Sequence, residues 1–252
     1  MADLADRLAR SFGFTEVDPD AKAGLVRGVF DRVAERYDLM NDLMSLGVHR
    51  LWKDAVIDWL APRPGLVHAD LGGGTGDIAF RLRERIEAEG EIVVVDVNAQ
   101  MVRVGRDRAY DANAFTGLHW CVGDAMALPL ADRSLDSATI AFAIRNVTHI
   151  DLALAEIFRV LKPGGRFLCL EFSKVTLPVL DAVYDRYSFA VLPALGRLVA
   201  GDEASYRYLA ESIRRFPDQE GFAALMRRAG FEQVRWRNLS GGVACIHSGW
   251  RL

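Results

Sequence analysis

The sequence predicts an α/β fold, a seven-stranded, mostly parallel sheet with helical caps. Three observations carry that reading. From Val67 onward, short apolar strands alternate with helices of about 10–15 residues, the mark of βαβ units and a parallel sheet. A glycine-rich run, Gly72-Gly73-Gly74-Thr75-Gly76, falls between the first strand and the first helix of that series. The two closing strands are separated by so few residues that they must pair antiparallel. Six strands therefore run parallel and one runs against them.

Taken in order, residues 1–21 read as a loosely held leader ending in the acidic Glu16-Val17-Asp18-Pro19-Asp20. Residues 22–61 read as helical. Val26, Val29, Phe30, Val33 and Tyr37 recur at i, i+3, i+4 spacing. A second helix runs from about Leu43 to Leu60 and stops at Pro62-Arg63-Pro64-Gly65. Residues 1–61 thus form an N-terminal helical cap, and residues 62–252 the sheet domain. Within it, VHADL (67–71), EIVVVDV (91–97), LHWCV (118–122), LDSATIAF (135–142) and RFLCLEF (166–172) read as strands. IAFRLRERIEAE (78–89), AQMVRVGRDRAYDA (99–112) and HIDLALAEIFRVL (149–161) read as helices, the last closed by Lys162-Pro163-Gly164-Gly165. Uninterrupted apolar strands such as VVV and FLCL suit a sheet covered on both faces. Residues 175–215 break the alternation and read as a helical insertion, a second cap, with Pro193 inside it. QEGFAALMRRAG (219–230) is a further helix. FEQVRWRNL (231–239) and GVACIHSGW (242–250) are the closing pair.

Composition narrows the function. The 252 residues hold 31 Lys and Arg against 34 Asp and Glu, a net charge of −3, which argues against a nucleic-acid binder. The longest stretch free of charged residues is the 13 from Asn238 to Trp250, short of the roughly 20 a membrane-spanning helix needs. Asp3, Asp6 and Arg7 precede any apolar run, unlike a secretory signal. Cys121, Cys169 and Cys245 are far apart, with no CxxC pair. They read as reduced thiols of a cytoplasmic protein, with no metal site.

The chemistry lies at the glycine run. Glycines at 72, 74 and 76 permit unusual backbone angles and let a ligand approach the chain closely. Asp96, twenty residues after Gly76, ends the next strand, where a carboxylate can bond a ribose diol. Loop plus acid read as a site for an adenosine-containing cofactor. The dinucleotide pattern GxGxxG is not met, because Asp77 stands in its third glycine place, and there is no Walker lysine. Asp70 followed by Gly-x-Gly-x-Gly suits S-adenosyl-L-methionine, whose cationic end an acid can pair. Gly123-Asp124-Ala125, after the third strand, adds an acid that can accept from an adenine amino group.

These motifs identify a chain that resembles the Rossmann-like class I S-adenosylmethionine-dependent methyltransferases. Within that class it closely resembles the ubiquinone/menaquinone biosynthesis C-methyltransferase family. The carrying segments are RYDLMNDLMSLGVHRLWK (36–53), DLGGGTGD (70–77), FAIRNV (142–147), LKPGGRFLCLEFSK (161–174), SYRYLAESIRRFPDQ (205–219) and the terminal GGVACIHSGW. Two positions depart from the family pattern. Gly72 stands where Ala or Cys is usual, and Ala141 where Ser is usual, which removes any hydroxyl contact to the cofactor there.

The resemblance implies C-methylation of a polyprenyl benzoquinol or naphthoquinol, with no metal, on a lipid substrate met at the membrane surface or within a quinone-synthesis complex. It implies cofactor contacts from Asp70, Gly72, Gly74, Thr75, Asp96, Asp124, Ala125 and Ala141. It also makes Arg145 and Asn146 the catalytic candidates. Arg145 could stabilise a phenolate directly or position a water as base, and Asn146 could orient the quinol oxygen; the alternative for both is a structural cap for the next helix. Tyr37, Asp38, Asn41 and Asp42 could form a lid. His49 and His247 read as structural, His149 as the start of a helix or a general base, and Cys169 as core. Leu177, Leu180, Tyr184, Tyr187 and Val191 form one apolar stripe: a channel for the prenyl tail, a membrane-surface contact or ordinary packing. A methyltransferase for a soluble small molecule, an NAD-dependent oxidoreductase and a non-catalytic scaffold remain as alternatives.

Overall fold

Parity sorts the strand side chains onto two faces. Ile92, Val94, Leu168 and Leu170 enter one apolar core, while Val95, Phe167 and Cys169 enter the other. A strand buried on both faces takes apolar residues at most positions, which is why these segments read as near-continuous apolar runs. The computed structural model describes residues 4–33, 42, 45, 47–87, 89–176 and 203–252.

The sheet strands are β3 (Val67–Leu71), β4 (Glu91–Asp96), β5 (Leu118–Val122), β6 (Leu135–Ala141), β7 (Leu161–Phe172), β8 (Glu232–Leu239) and β9 (Ala244–Arg251). Their order is β5-β4-β3-β6-β7-β9-β8. Strands β3 to β7 pair in parallel, and β9 runs antiparallel to both β7 and β8. That is the expected six and one. The chain order reverses at β3, which lies between β4 and β6. In open α/β sheets ligands bind outside the carboxyl ends of the strands at such a switch point. Strand β7 starts at Leu161, before the Lys-Pro-Gly-Gly turn. Leu135 pairs with Leu161 and Ser137 with Arg166, so the turn is an excursion within the ladder.

Between the strands run helices α4 (Asp77–Arg85), α5 (Ala99–Asp111), α6 (Ile150–Val160) and α8 (Gln219–Arg228). Asn98 caps α5, its side chain accepting from the amides of Gln100 and Met101, and Asp218 caps α8 through Gly221. Before the sheet come α1 (Leu4–Ala9), the short hairpin β1 (Ser11–Phe12) and β2 (Thr15–Glu16), α2 (Pro19–Val33) and α3 (His49–Leu60). Helix α2 starts with Pro19 in its first turn, where the missing N–H costs nothing, and the Asp18 carboxylate accepts from the Asp20 amide.

The leader is not loosely held, contrary to the sequence expectation. Ala5, Leu8 and Ala9 are buried, and α1 packs on α6. Lys22 ties it down: this side chain, 1% exposed, donates to Leu8 O at 2.8 Å and Val147 O at 3.3 Å. A lysine in an otherwise ordinary helical pattern gives no sign that its ammonium is buried. Of the expected insertion, the described part is α7 (Glu203–Arg215). The Leu177–Val191 stripe and the lid candidates Tyr37, Asp38 and Asn41 lie outside the described residues. Among the described residues, no helix is long and apolar enough to cross a membrane.

Candidate active site

The turn from β3 into α4 is the floor of the site. Gly72 and Gly74 both have φ +56°, in the left-handed region. A Cβ on Gly72 would lie 2.5 Å from the Ala143 Cβ, so the usual Ala or Cys would need the loop after β6 to shift. The Gly74 amide donates to Asp96 Oδ2 at 2.8 Å, and the Asn98 amide to Asp96 Oδ1 at 2.8 Å. Each carboxylate oxygen thus keeps acceptor capacity for a ligand hydroxyl. Burial raises the Asp96 pKa above its ordinary value, and the two amide bonds oppose that.

A cavity of about 160 Å³ opens over this floor. Gly72, Gly74 and Asp96 line it, as do Asp124 and Ala125 beyond β5. Past β6, Phe142, Ala143 and Asn146 form another wall. Asp124 is shaped by its own turn, its Oδ1 accepting from the Met126 amide at 2.8 Å. The far wall is α2, through Ala23, Val26, Arg27 and Phe30. That i, i+3, i+4, i+7 set is one helix face. Val26 and Phe30 belong to the apolar stripe visible in the sequence; Ala23 and Arg27 do not, and nothing in the pattern showed that this face closes the cavity. Asn98 links the two halves, its Nδ2 donating to Asp31 of α2 at 2.7 Å.

Six of the ten expected residues therefore converge: Gly72, Gly74, Asp96, Asp124, Ala125 and Asn146. Four do not line the cavity. Asp70 lies beneath the loop, 1% exposed, its Oδ1 accepting from Thr139 Oγ1 at 3.3 Å. On β3 it alternates with Ala69 and Leu71, and its face is turned towards Lys53 of α3 and Asp77 of α4, both close enough to act on its charge. The Thr75 hydroxyl accepts from Arg108 at 3.0 Å. Ala141 packs against the core, and its neighbours Ile140 and Phe142 take the cavity positions.

Arg145 is the fourth. It sits in a short 3₁₀ turn, Ile144–Asn146, that aims adjacent side chains in different directions. Its guanidinium is 3% exposed and donates to Glu171 Oε1 and to Phe142 O, both at 2.7 Å. Glu171, on β7, is 1% exposed. The pair is a buried support behind the cavity wall. Tyr208 of α7, inside the 205–219 family segment but not singled out as a site residue, donates to Asn146 Oδ1 at 3.0 Å. Asp42 binds Arg50 at 2.8 Å and does not line the cavity. His49 bonds Ser45, His247 bonds Gln219 O, and His149 precedes α6.

The buried Asp70 makes stability depend on pH. Burial, foremost, pushes its carboxyl up to about 7, opposed by the Thr139 bond and the Lys53 charge. An acid whose folded pKa exceeds its unfolded value, about 4, binds its proton more tightly when folded. Its contribution is therefore present at low pH and lost as pH rises from about 4 to 7. Asp70→Asn, which keeps an acceptor for Thr139, is expected to raise Tm at about pH 8 and much less at about pH 5. Melting curves at the two pH values check this; an equal shift at both would mean that Asp70 stays ionised.

Comparison with known proteins places the chain among methyltransferases. The profile of the ubiE/COQ5 methyltransferase family matches residues 17–251. The chain is 55% identical over 247 residues to the ubiquinone/menaquinone biosynthesis C-methyltransferases UbiE of Brucella abortus strain S19 and Brucella melitensis biotype 2, covering 97% of this chain and 92% of each relative. Among solved structures, a methyltransferase of Thermotoga maritima described as a possible histamine N-methyltransferase superposes with TM-score 0.65 at 22% identity, over 89% of this chain and 99% of that one. A SAM-dependent methyltransferase of Aquifex aeolicus gives 0.62 at 15% identity, over 84% and 97%. At such identities the two structures speak for the fold.

Proposed function

Because the chain belongs to the ubiE/COQ5 methyltransferase family, we propose that it methylates a ring carbon of a polyprenyl quinol precursor in ubiquinone or menaquinone biosynthesis. The methyl donor is S-adenosyl-L-methionine. The observation that carries the reading is that one cavity is bounded both by the ribose-type acid Asp96 and by Asn146.

The residues present fit that donor. Asp96 is pinned by two backbone amides and retains acceptor capacity for a diol. The left-handed Gly74 leaves the space above it without a Cβ. Asp96 would hold the ribose, Asp124 and the Ala125 backbone the adenine, and the Gly72–Gly74 turn the amino-acid end. When bound, S-adenosyl-L-methionine supplies an electrophilic sulfonium methyl. The chain must then hold the ring carbon in line with that methyl while the neighbouring hydroxyl gives its proton to water, which makes the carbon nucleophilic; the hydrogen on the methylated carbon leaves as a proton to restore the aromatic ring, and the oxygen is reprotonated. Asn146, at the cavity wall, is the donor for that oxygen. Helix α2, tied across by the Asn98–Asp31 bond, forms the far wall of the cavity.

Asp70, Thr75 and Arg145 act through others. Asp70 lies beneath the glycine turn, Thr75 is held by Arg108, and Arg145 ties the loop after β6, which carries Phe142 and Asn146, to Glu171 of β7. Since a polyprenyl quinol stays in lipid, the encounter takes place at a membrane surface.

Asp96→Ala is expected to weaken S-adenosyl-L-methionine binding by roughly ten- to a hundredfold, as for hydrogen bonds to a charged group. Calorimetry measures it, and unchanged affinity would remove Asp96 from the site. The substrate is tested by incubating the purified protein and isotopically methyl-labelled donor with a lipid extract rich in demethylated quinols. Label should enter the quinol ring. Label found only in water-soluble products would overturn the quinol assignment and favour a small-molecule methyltransferase.

A further inference from the structure

We propose that Tyr208 is a positioning residue of methyl transfer: its hydroxyl fixes the Asn146 amide so that the nitrogen is presented to the ring oxygen beside the methylated carbon. The inference rests on the quinol reading above. A tyrosine hydroxyl has one proton to give, and Tyr208 gives it to Asn146 Oδ1 at 3.0 Å. In this arrangement the Oδ1 side of the amide faces the protein and the Nδ2 side is left for a ligand. Asn146 Nδ2 is buried and has no hydrogen-bond partner among the described residues, while Asn146 itself lines the cavity. A buried donor without a partner is costly, and native proteins keep few of them. A ligand oxygen arriving at this wall would satisfy it, with the small closing adjustment that active-site hydrogen bonds commonly make on binding.

Tyr208 is built for constancy. It is 5% exposed, and its ring stacks on Phe12 of the leader hairpin with centroids 4.2 Å apart and planes 19° apart. Burial pushes its phenol well above the ordinary range, so the hydroxyl stays protonated and remains a donor. The buried leader thus has a role at the site, holding the tyrosine that orients the amide. A neutral N–H donor aimed where negative charge develops stabilises the phenolate form without neutralising it, which leaves the ring carbon nucleophilic.

The test compares wild type, Tyr208→Phe, Asn146→Ala and the double variant on a demethylated quinol. Phenylalanine keeps the stack on Phe12 and removes only the hydroxyl. Tyr208→Phe is expected to lower kcat about tenfold, the scale of one lost hydrogen bond. Donor affinity by calorimetry should be unchanged. The acid limb of the kcat–pH profile should move to higher pH, because the bound hydroxyl ionises less readily. The double variant should be no slower than Asn146→Ala alone, since the tyrosine acts only through the asparagine. An unshifted acid limb, or losses that multiply in the double variant, would overturn the inference. If Tyr208→Phe does not fold, Asn146→Asp decides. It keeps an acceptor for Tyr208 but removes the donor, so kcat must fall with donor affinity intact, and wild-type kcat overturns the proposal. Wild-type protein that binds the donor yet methylates no quinol would bring down the quinol reading and this inference together. Normal wild-type turnover with an unaffected Tyr208→Phe would bring down this inference alone.

Discussion

Gly74→Val is expected to abolish S-adenosyl-L-methionine binding in a protein that still folds. Position 74 has φ +56°, where any Cβ is strained by about 1–2 kcal/mol and a branched one more. The Cβ would lie 3.2 Å from the Met101 Cε and 4.0 Å from Asp96 Oδ2. The valine methyls would therefore occupy the space through which a ligand reaches the carboxylate. The strained backbone would also misdirect the Gly74 amide that pins Asp96 at 2.8 Å. Affinity should fall by more than about a hundredfold, or ~2.8 kcal/mol, exceeding the effect of Asp96→Ala. Gly65→Val separates strain from blockage. Gly65 has φ +78° and nothing within 4 Å of its would-be Cβ, so that variant should lose some stability and bind normally. Calorimetry with thermal melts measures both, and normal binding by a folded Gly74→Val protein would show that the turn does not cradle the cofactor.

Arg145→Ala should first be a stability defect. The guanidinium and the Glu171 carboxylate are 3% and 1% exposed and meet at 2.7 Å. Removing the cation leaves a buried carboxylate whose remaining partners among the described residues are backbone amides, the nearer being Phe172 N at 2.9 Å. Breaking a buried pair from one side costs about 3–5 kcal/mol. For a chain of this size that is a fall in Tm of about 6–20 °C. Burial already raises the Glu171 pKa, with Arg145 opposing it. Without Arg145 that rise grows, the fold binds the proton more tightly, and the defect deepens as pH increases. Arg145→Met combined with Glu171→Gln removes both charges and should recover much of the loss. Differential scanning calorimetry decides: an unchanged Tm with turnover abolished would return Arg145 to the reacting atoms, where the sequence had placed it.

Arg145 shows where sequence reading stops. Its place after β6, at the end of the sheet that binds ligands, was legible from the strand pattern. The direction of its side chain was not. Within the Ile144–Asn146 turn, Asn146 reaches the cavity wall while its neighbour points back to Glu171, 26 residues away. Asp70 carries the same lesson from a strand. Its spacing to the glycines is that of a cofactor acid, yet the pleat turns it under the loop towards Thr139. Asp96 differs because two amides fixed by local turns, Gly74 and Asn98, hold its carboxylate at the strand end.

What the sequence determined by itself was everything set by local periodicity and local backbone freedom. Strands such as β4 and β7 were legible because strands covered on both faces are near-continuous apolar runs, and the glycine turn because glycine relaxes at φ +56°. Asp96, which ends β4, and Asp124 and Ala125, just beyond β5, were legible as acids and a small residue at the carboxyl ends of strands, and all three line the cavity. Tertiary structure alone decided the rest: that Lys22 is buried and anchors the leader, that one face of α2 closes the cavity, and that Tyr208 orients Asn146 from 62 residues away. Each of these is a contact between elements distant in the chain, made by residue types that serve as ordinary surface or core elsewhere. Their roles come from which elements pack together and at what angle, a property of the whole core that no local window of sequence contains.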